Sequence, residues 1–364
     1  GSIGSELCRQ IVKLKPKSLV LCELNEFALY KIYEELEMIN KNIKIVPLIC
    51  NIQDENKINE ILKVFNVDTV YHAAAYKHVP LVEANICEGV QNNVFGTFVV
   101  AQAAIEQSVS NFVLISSDKA VRPTNIMGAT KRLAELCVQA LYENEKNKFS
   151  KFSIVRFGNV LQSSGSVIPK FKKQIEEGGP VTLTHPEVTR YFMTTKEAAQ
   201  LVIQAGAMSQ NCEVFVLDMG KSVKIKDLIY QMIINSGLTV KDVDNSEGDI
   251  EIKVIGLRPG EKLYEELLIG DNPQKTNHEK IKKAQDNFIP FNDLKLDLDT
   301  LRDLLLSNKA IEIKNMLKKL VYTYKSETKI VDHLYLEQLP FKKENKSPKI
   351  LEREGNKIIK INTK

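Results

Sequence analysis

Short apolar runs alternate with longer amphipathic stretches from the start of the chain to Phe157. The amphipathic stretches at residues 58–65 and 89–107 are typical of helices that face a core. Five apolar runs are typical of buried parallel strands, at residues 18–23, 44–49, 69–74, 112–115 and 152–157. Strands that alternate with helices predict an α/β fold, a doubly wound parallel sheet of the Rossmann type with a smaller carboxy-terminal substrate lobe.

The chain begins with a glycine turn, whereas a dinucleotide-binding fold begins with a strand. Gly1-Ser2-Ile3-Gly4 runs directly into a predicted helix at residues 5–14. In that fold the first strand leads into a glycine-rich turn, and a pyrophosphate lies at the amino terminus of the next helix. We therefore expect Gly1, Ser2, Ile3 and Gly4 to bind a dinucleotide cofactor. We also expect the first strand to be missing and the chain to be a fragment of a longer protein.

Glu23 ends the first apolar run, about 20 residues after the glycine turn. At this spacing a carboxylate accepts hydrogen bonds from the ribose hydroxyls of adenosine. Leu24 follows, and no adjacent Arg or Lys could hold a 2′-phosphate, which favours NAD over NADP. Asn51 and Ile52, after the second run, are expected to flank the adenine.

Proton-handling side chains follow the fourth apolar run. Ser117, Asp118 and Lys119 come just after it, and Lys131 lies one helical turn beyond Met127 in the next predicted helix. Ligands bind at the carboxyl ends of parallel strands in such folds. A hydroxyl, a carboxylate and two amines at this place predict acid–base catalysis.

Small and polar residues follow the third apolar run. Ala73, Ala74 and Ala75 have no bulky side chain, so the backbone can approach a flat ligand. An alanine run is equally typical of close packing between a helix and a sheet. The polar neighbours Lys77 and His78 favour the binding site.

Asn93 lies inside the predicted helix at residues 89–107. Because Asn is a poor helix former, we expect it to bend the helix or to bind water. Its place beside the expected site makes it a candidate cofactor-binding residue.

The pattern becomes polar and glycine-rich after Phe157. Asn159, Ser166 and Val167 lie in a segment whose backbone amides suit a diphosphate. Arg190 and Arg258 lie in separate loops, and their planar guanidinium groups suit phosphate oxygens. These residues predict a nucleotide-diphosphate site in the smaller lobe.

Three regions are expected from these changes. Residues 1–157 form an incomplete NAD-binding Rossmann domain, and residues 158–300 form a substrate lobe interleaved with it. Residues 301–364 form a helical, basic extension. Its residues 341–364 hold eight Lys or Arg against three Glu.

Composition excludes several classes of protein. Charged residues are 26% of the 364 residues and the net charge is +4, so no nucleic-acid partner is indicated. No apolar run approaches the ~20 residues of a membrane span. The six cysteines lack metal-binding spacing, so we expect reduced thiols and no metal site.

Several long segments together resemble one family. They include His-Ala-Ala-Ala-Tyr-Lys-His-Val-Pro, Ser-Ser-Asp-Lys-Ala-Val-Arg-Pro-Thr-Asn, Arg-Phe-Gly-Asn-Val-Leu, Thr-His-Pro-Glu-Val-Thr-Arg-Tyr-Phe-Met and Arg-Pro-Gly-Glu-Lys-Leu-Tyr-Glu-Glu-Leu. The chain resembles the bacterial nucleotide-sugar 4,6-dehydratases of the CapD polysaccharide-biosynthesis type. These are extended short-chain dehydrogenases/reductases.

The resemblance implies an NAD-dependent lyase that converts UDP-N-acetylglucosamine to a UDP-4-keto-6-deoxy sugar. Carbon 4 of the sugar is oxidised, water is eliminated across carbons 5 and 6, and a hydride returns to carbon 6. In this scheme Asp118 is the acid, Lys119 is the base and Lys131 holds the nicotinamide ribose. A lysine base needs a lowered pKa, which a neighbouring carboxylate opposes, so the two roles can also be coupled.

The resemblance also implies binding partners and a location. We expect a homo-oligomer whose catalytic domain is cytoplasmic and whose full-length form is attached to the bacterial inner membrane through the missing amino-terminal region. The residues expected to bind UDP-N-acetylglucosamine are Lys77, His78, Asn159, Ser166, Val167, Arg190, Arg258 and Glu261.

Two positions depart from the family pattern. The usual Tyr-x-x-x-Lys pair reads Met127-x-x-x-Lys131 here, as in the long, membrane-anchored members. Ser117, Asp118 or an ordered water are the candidates for removing the proton of the carbon-4 hydroxyl. Gln162 replaces a usual Gly.

Two other functions fit the same residues. A UDP-sugar 4-epimerase or a reductase would share the fold and the cofactor, but would not need an acid–base pair for carbons 5 and 6. A non-catalytic fragment would bind the UDP-sugar without turnover.

Overall fold

The computed structural model describes residues 1–145, 149–161, 163, 165–268, 273–326 and 329–338. The strands are β1 (Ser18–Glu23), β2 (Lys44–Ile49), β3 (Thr69–His72), β4 (Asn111–Ile115), β5 (Lys151–Arg156), β6 (Asn159–Val160), β7 (Val181–Leu183), β8 (Thr189–Arg190), β9 (Phe192–Met193), β10 (Cys212–Leu217), β11 (Val223–Lys224), β12 (Val240–Lys241), β13 (Ile250–Val254), β14 (Gln274–Lys275) and β15 (Ile281–Ala284). The helices are α1 (Ser2–Lys13), α2 (Glu26–Ile39), α3 (Glu55–Val64), α4 (Val79–Glu83), α5 (Ile86–Val90), α6 (Thr97–Glu106), α7 (Ile126–Asn144), α8 (Val167–Glu176), α9 (Thr195–Met208), α10 (Ile225–Asn235), α11 (Phe291–Leu306), α12 (Ala310–Leu320) and α13 (His333–Gln338).

The main sheet has the order β14-β15-β10-β5-β4-β3, and β1 and β2 form a separate parallel pair. Strands β3, β4, β5 and β10 are parallel, β15 pairs antiparallel with β10, and β14 pairs antiparallel with β15 at the edge. The doubly wound order is 3-2-1-4-5-6. Strands β2, β1, β3, β4 and β5 fill five of these places, and the central place, between β1 and β3, holds no strand among the described residues. The predicted doubly wound α/β fold is confirmed.

The predicted helix at residues 89–107 is interrupted in the structure. A π-helical turn at Gln91–Gly96 separates α5 from α6. The side-chain amide of Asn93 accepts a hydrogen bond from Tyr76 N at 2.7 Å and donates one to Tyr76 O at 2.9 Å. Such turns often occur at functional sites. Asn93 therefore lies inside the π-helical turn and joins it to the segment after β3.

Helix α7 forms the centre of the fold. Its residues from Ile126 to Tyr142 are all buried. One face packs on the sheet, and α11 and α12 cover another face. The expected boundary between residues 300 and 301 falls inside α11, and residues 341–364 lie outside the described residues.

The smaller lobe has a core of its own between α8, α10, β7 and β13. Strand β13 pairs in parallel with β7, away from the main sheet. Within the expected range 158–300, however, β10 and β15 belong to the main sheet. None of the described helices is both long and apolar enough to cross a bilayer.

Gly128 lets the first turn of α7 pack against the segment after β4. A Cβ at this position would overlap the carbonyl oxygen of Lys119, a backbone atom that cannot turn aside. We expect Gly128→Ala to lower the free energy of unfolding by about 1–3 kcal/mol. The control is Gly4→Ala, where the added Cβ would only contact Ala73 at 3.9 Å. Equal urea midpoints for the two variants would contradict this packing.

Candidate active site

The carboxyl end of β4 holds a buried ion pair. The Asp118 side chain is fully buried, and its Oδ1 accepts from Ser117 Oγ and from Lys119 Nζ, each at 2.9 Å. The backbone fixes this turn, because Asp118 N donates to Phe157 O at 3.0 Å. Asp118 Oδ2 is buried and has no partner among the described residues. One carboxylate oxygen therefore has hydrogen-bonding capacity that none of these residues uses.

A second carboxylate reaches Lys119 from the other lobe. Glu265 Oε1 lies 3.6 Å from Lys119 Nζ and 3.9 Å from Arg190 Nε. Lys119 Nζ also donates to Asn159 Oδ1 at 3.4 Å. The sequence did not single out Glu265, since it lies in irregular structure where no periodicity marks a buried position.

The surroundings of Lys119 favour its charged form. Burial lowers the pKa of this amine, but the charges of Asp118 and Glu265 and the hydrogen bond that it donates to Asp118 outweigh burial and raise it overall. A lysine base requires the opposite direction. The raised pKa therefore disfavours Lys119 acting alone as a base, and the coupled roles of Asp118 and Lys119 stay a prediction.

Helix α7 contributes Met127 and Lys131. Lys131 Nζ donates to Ile115 O at 2.6 Å, at the end of β4, and burial lowers its pKa to about 8 against the opposing charge of Glu135. Met127 is 3% exposed and packs in the core between α7 and the carboxy-terminal helices. It also lines the cavity described below.

A buried ion cluster lies under this strand end. Glu135 accepts from Arg156 at 2.8 and 2.5 Å and from Ser116 Oγ at 2.5 Å. Asp286 lies 2.5 Å from Arg156 and 3.2 Å from Arg132. These groups join β4, α7, β5 and the segment after β15. Nothing in the sequence paired them, because the partners lie far apart in the chain.

A cavity of about 890 Å³ opens between β1 and β3 and extends to the end of β4. The expected site residues that line it are Gly1, Ser2, Ile3, Gly4, Glu23, Ile52, Ala73, Ala74, Ala75, Lys77, His78, Ser117, Lys119, Met127, Lys131 and Asn159. The structure thus brings together most of the expected cofactor-binding residues and most of the expected catalytic residues.

The other expected site residues lie outside this lining. Asp118 contacts Lys119, which lines the cavity, and Asn93 contacts Tyr76, which also lines it. Asn51 is exposed, and its Oδ1 accepts from Gln53 N. Ser166 and Val167 begin α8, where Ser166 Oγ is buried with no partner among the described residues.

The expected phosphate-binding arginines differ in their surroundings. Arg190 donates to Thr189 O at 2.7 Å and to Glu261 Oε1 at 3.1 Å. Glu261 also accepts from the backbone N of Arg258, whose side chain is exposed. Arg190 is therefore held by a carboxylate that an incoming diphosphate would have to displace, whereas Arg258 faces solvent.

A family of proteins described as polysaccharide biosynthesis proteins matches residues 1–286. The chain belongs to this family. It is 50% identical to the capsular polysaccharide biosynthesis protein CapD of Staphylococcus aureus over 323 residues, which are 86% of this chain and 51% of CapD. The chain thus spans about half the length of CapD.

More distant members of the comparison carry two different activities in their names. The chain is 30% identical to a UDP-N-acetylglucosamine 4,6-dehydratase (inverting) of Campylobacter jejuni, over 76% of this chain and 77% of that protein. It is 32% identical to a UDP-glucose 4-epimerase of Rickettsia rickettsii, with the same coverage. The chain is therefore similar both to a protein named as a dehydratase and to one named as an epimerase.

Solved structures support the fold. Pen from Bacillus thuringiensis is 33% identical, with a TM-score of 0.70 over 82% of this chain and 94% of that chain. DesIV of Streptomyces venezuelae, a dTDP-glucose 4,6-dehydratase with NAD and TYD bound, has a TM-score of 0.60 at 20% identity. The match covers 72% of this chain and 84% of the DesIV chain, so DesIV shares the fold.

The expected homo-oligomer and membrane attachment stay predictions.

We expect the ion cluster beneath the site to be essential for stability. Glu135→Gln leaves Arg156 buried without its main partner, which costs about 3–5 kcal/mol of unfolding free energy. Burial raises the pKa of Glu135, but Arg156 and Arg132 lower it overall, from 4.5 to about 2. The wild type should therefore lose this contribution as pH falls from 4.5 towards 2, and the variant should lose less over that range.

Chemical denaturation at several pH values measures both effects. The control is Glu60→Gln, which removes an exposed pair with Lys57 at 2.9 Å and should cost less than about 1 kcal/mol. A Glu135→Gln cost as small as that of the control would show that the cluster does not stabilise the fold.

Proposed function

We propose that this chain is a nucleotide-sugar 4,6-dehydratase that acts on UDP-N-acetylglucosamine and uses NAD. The observation that carries the proposal is the Asp118–Lys119 pair at 2.9 Å, placed at the carboxyl end of β4 beside the cavity. Elimination of water across carbons 5 and 6 needs an acid and a base close together. An epimerase needs no such pair.

The cavity fits a dinucleotide in shape and in chemistry. The first turn of α1 lines one side, where backbone N–H groups suit a pyrophosphate, and Glu23 at the end of β1 offers acceptors for ribose hydroxyls. Ala73 and Ala74 allow close approach of a flat ring. Lys131, beside the end of β4, would hold the nicotinamide ribose. Bound NAD would supply the acceptor and the donor of the hydride.

The ion pair can provide both an acid and a base by one proton shift. Transfer of the proton from Lys119 Nζ to Asp118 Oδ1 would leave a neutral amine and a carboxylic acid. The amine could then take the proton from carbon 5, and the acid could protonate the hydroxyl that leaves carbon 6. Burial favours the neutral pair, but the carboxylates outweigh burial and favour the charged pair, so the proton shift costs free energy.

The smaller lobe would bind the nucleotide diphosphate. Gly165 has a φ of +70°, and a Cβ there would overlap the ring of His78, so the loop lies against the segment after β3. Arg190 and Arg258 supply positive charge on the same side. Exchange of the Arg190–Glu261 bond for an Arg190–phosphate bond would couple substrate binding to this loop.

We expect loss of either member of the pair to abolish most turnover. Asp118→Asn and Lys119→Met should each lower kcat by roughly two to four orders of magnitude, the usual range for a lost general acid or base. Incubation with UDP-N-acetylglucosamine and NAD, followed by NMR of the product, measures this. UDP binding, measured by calorimetry, is the control and should change little. Turnover within tenfold of wild type in both variants, or a carbon-4 epimer as the wild-type product, would contradict the proposal.

Replacing Met127 by the usual Tyr should not raise kcat. The side chain is 3% exposed in an apolar core, where a phenol hydroxyl would need a hydrogen-bond partner. Met127→Tyr should therefore leave kcat unchanged or lower, whereas Met127→Leu, an apolar replacement of similar volume, should keep most of it. A tenfold rise in kcat for Met127→Tyr would mean that Ser117, Asp118 and water do not replace the Tyr.

A further inference from the structure

Glu265 is a buried carboxylate that the proposed chemistry does not use. Its side chain is 4% exposed, and Oε2 has no partner among the described residues. A buried carboxylate is costly unless opposite charges surround it. Here the compensating charges are Lys119 and Arg190, at 3.6 and 3.9 Å from Oε1.

Two carboxylates face the Lys119 ammonium group from different parts of the molecule. Asp118 belongs to the same turn, directly after β4, while Glu265 approaches from the loop that also carries Glu261. Arg190 is the positive group on that side, and it is already bonded to Glu261 at 3.1 Å. Asn159 contributes a neutral acceptor at 3.4 Å. Glu265 is therefore the charge that links the amine to the substrate lobe.

We propose that Glu265 is a positioning residue for Lys119, which holds its ammonium group against Asp118 and favours its charged form. The role in turnover rests on the proposed function, while the effect on Lys119 does not. The carboxylate attracts the protonated amine from the substrate lobe, at 3.6 Å, while Lys119 lines the cavity. In the proposed reaction, Glu265 would set the pH range in which the pair can exchange its proton.

The protonation of Lys119 can be measured without substrate. Lys119 lines the cavity, so competitive acetylation followed by mass spectrometry over roughly pH 6 to 11 gives its titration. Glu265→Gln keeps the shape and removes the charge, so the pKa of Lys119 should fall by about one unit or more. Glu265→Asp keeps the charge at a greater distance and should give a smaller fall.

Glu266→Gln is the matched control. Glu266 is the next residue, its side chain is 39% exposed, and it pairs with Arg122 and with Lys262 at 3.4 Å instead of with Lys119. This variant should leave the titration of Lys119 unchanged. An unchanged titration in Glu265→Gln, or an equal shift in Glu266→Gln, would overturn the proposal. If Glu265→Gln does not fold, an unchanged titration in folded Glu265→Asp would overturn it.

The pH dependence of turnover gives a second readout that a merely structural residue would not move. The basic limb of kcat, where the pair loses its one proton, should shift to lower pH in Glu265→Gln by about as much as the Lys119 titration, and Glu265→Asp should restore most of the wild-type profile. If the Lys119 titration shifts as expected while no 4-keto-6-deoxy product forms with the wild type, Glu265 still positions Lys119 and the dehydratase proposal fails.

Discussion

The carboxyl end of β4 is buried, so every charge placed there must be matched by an opposite charge. The structure meets this constraint in two layers. The lower layer consists of Glu135, Asp286, Arg132 and Arg156. The upper layer consists of Asp118, Glu265, Lys119 and Arg190. Each of these sets holds two carboxylates and two cations, and Glu261 adds a carboxylate beside Arg190 at 3.1 Å.

The two layers differ in how tightly their groups are bonded. The bonds of Glu135 to Arg156, Arg132 and Ser116 are 2.5 to 2.8 Å long, whereas Lys119 and Arg190 lie 3.6 and 3.9 Å from Glu265. Two carboxylate oxygens of the upper layer have no partner among the described residues. The lower layer therefore fixes the strand end, and the upper layer is bonded more loosely around Glu265.

The sequence predicted those parts of the molecule that depend on local pattern. Strands β1 and β2 begin and end where the apolar runs do, and Asn93 marked the place where a helix is distorted. The turn after β4 was identified because its polar residues are consecutive. Glu265 and Arg156 could not be found in this way, since their burial depends on partners brought in by the chain fold. The sequence indicated the opposing effect of Asp118 on the pKa of Lys119, but not the further rise that Glu265 causes.

The central claim is that the groups at the end of β4 eliminate water after oxidation at carbon 4, with the hydride returned to carbon 6. Turnover of UDP-N-acetylglucosamine that carries deuterium at carbon 4 tests it most directly. The account predicts a 4-keto-6-deoxy product whose carbon 6 carries that deuterium. Recovery of the deuterium at carbon 4 of an epimerised sugar, with no label at carbon 6, would contradict it.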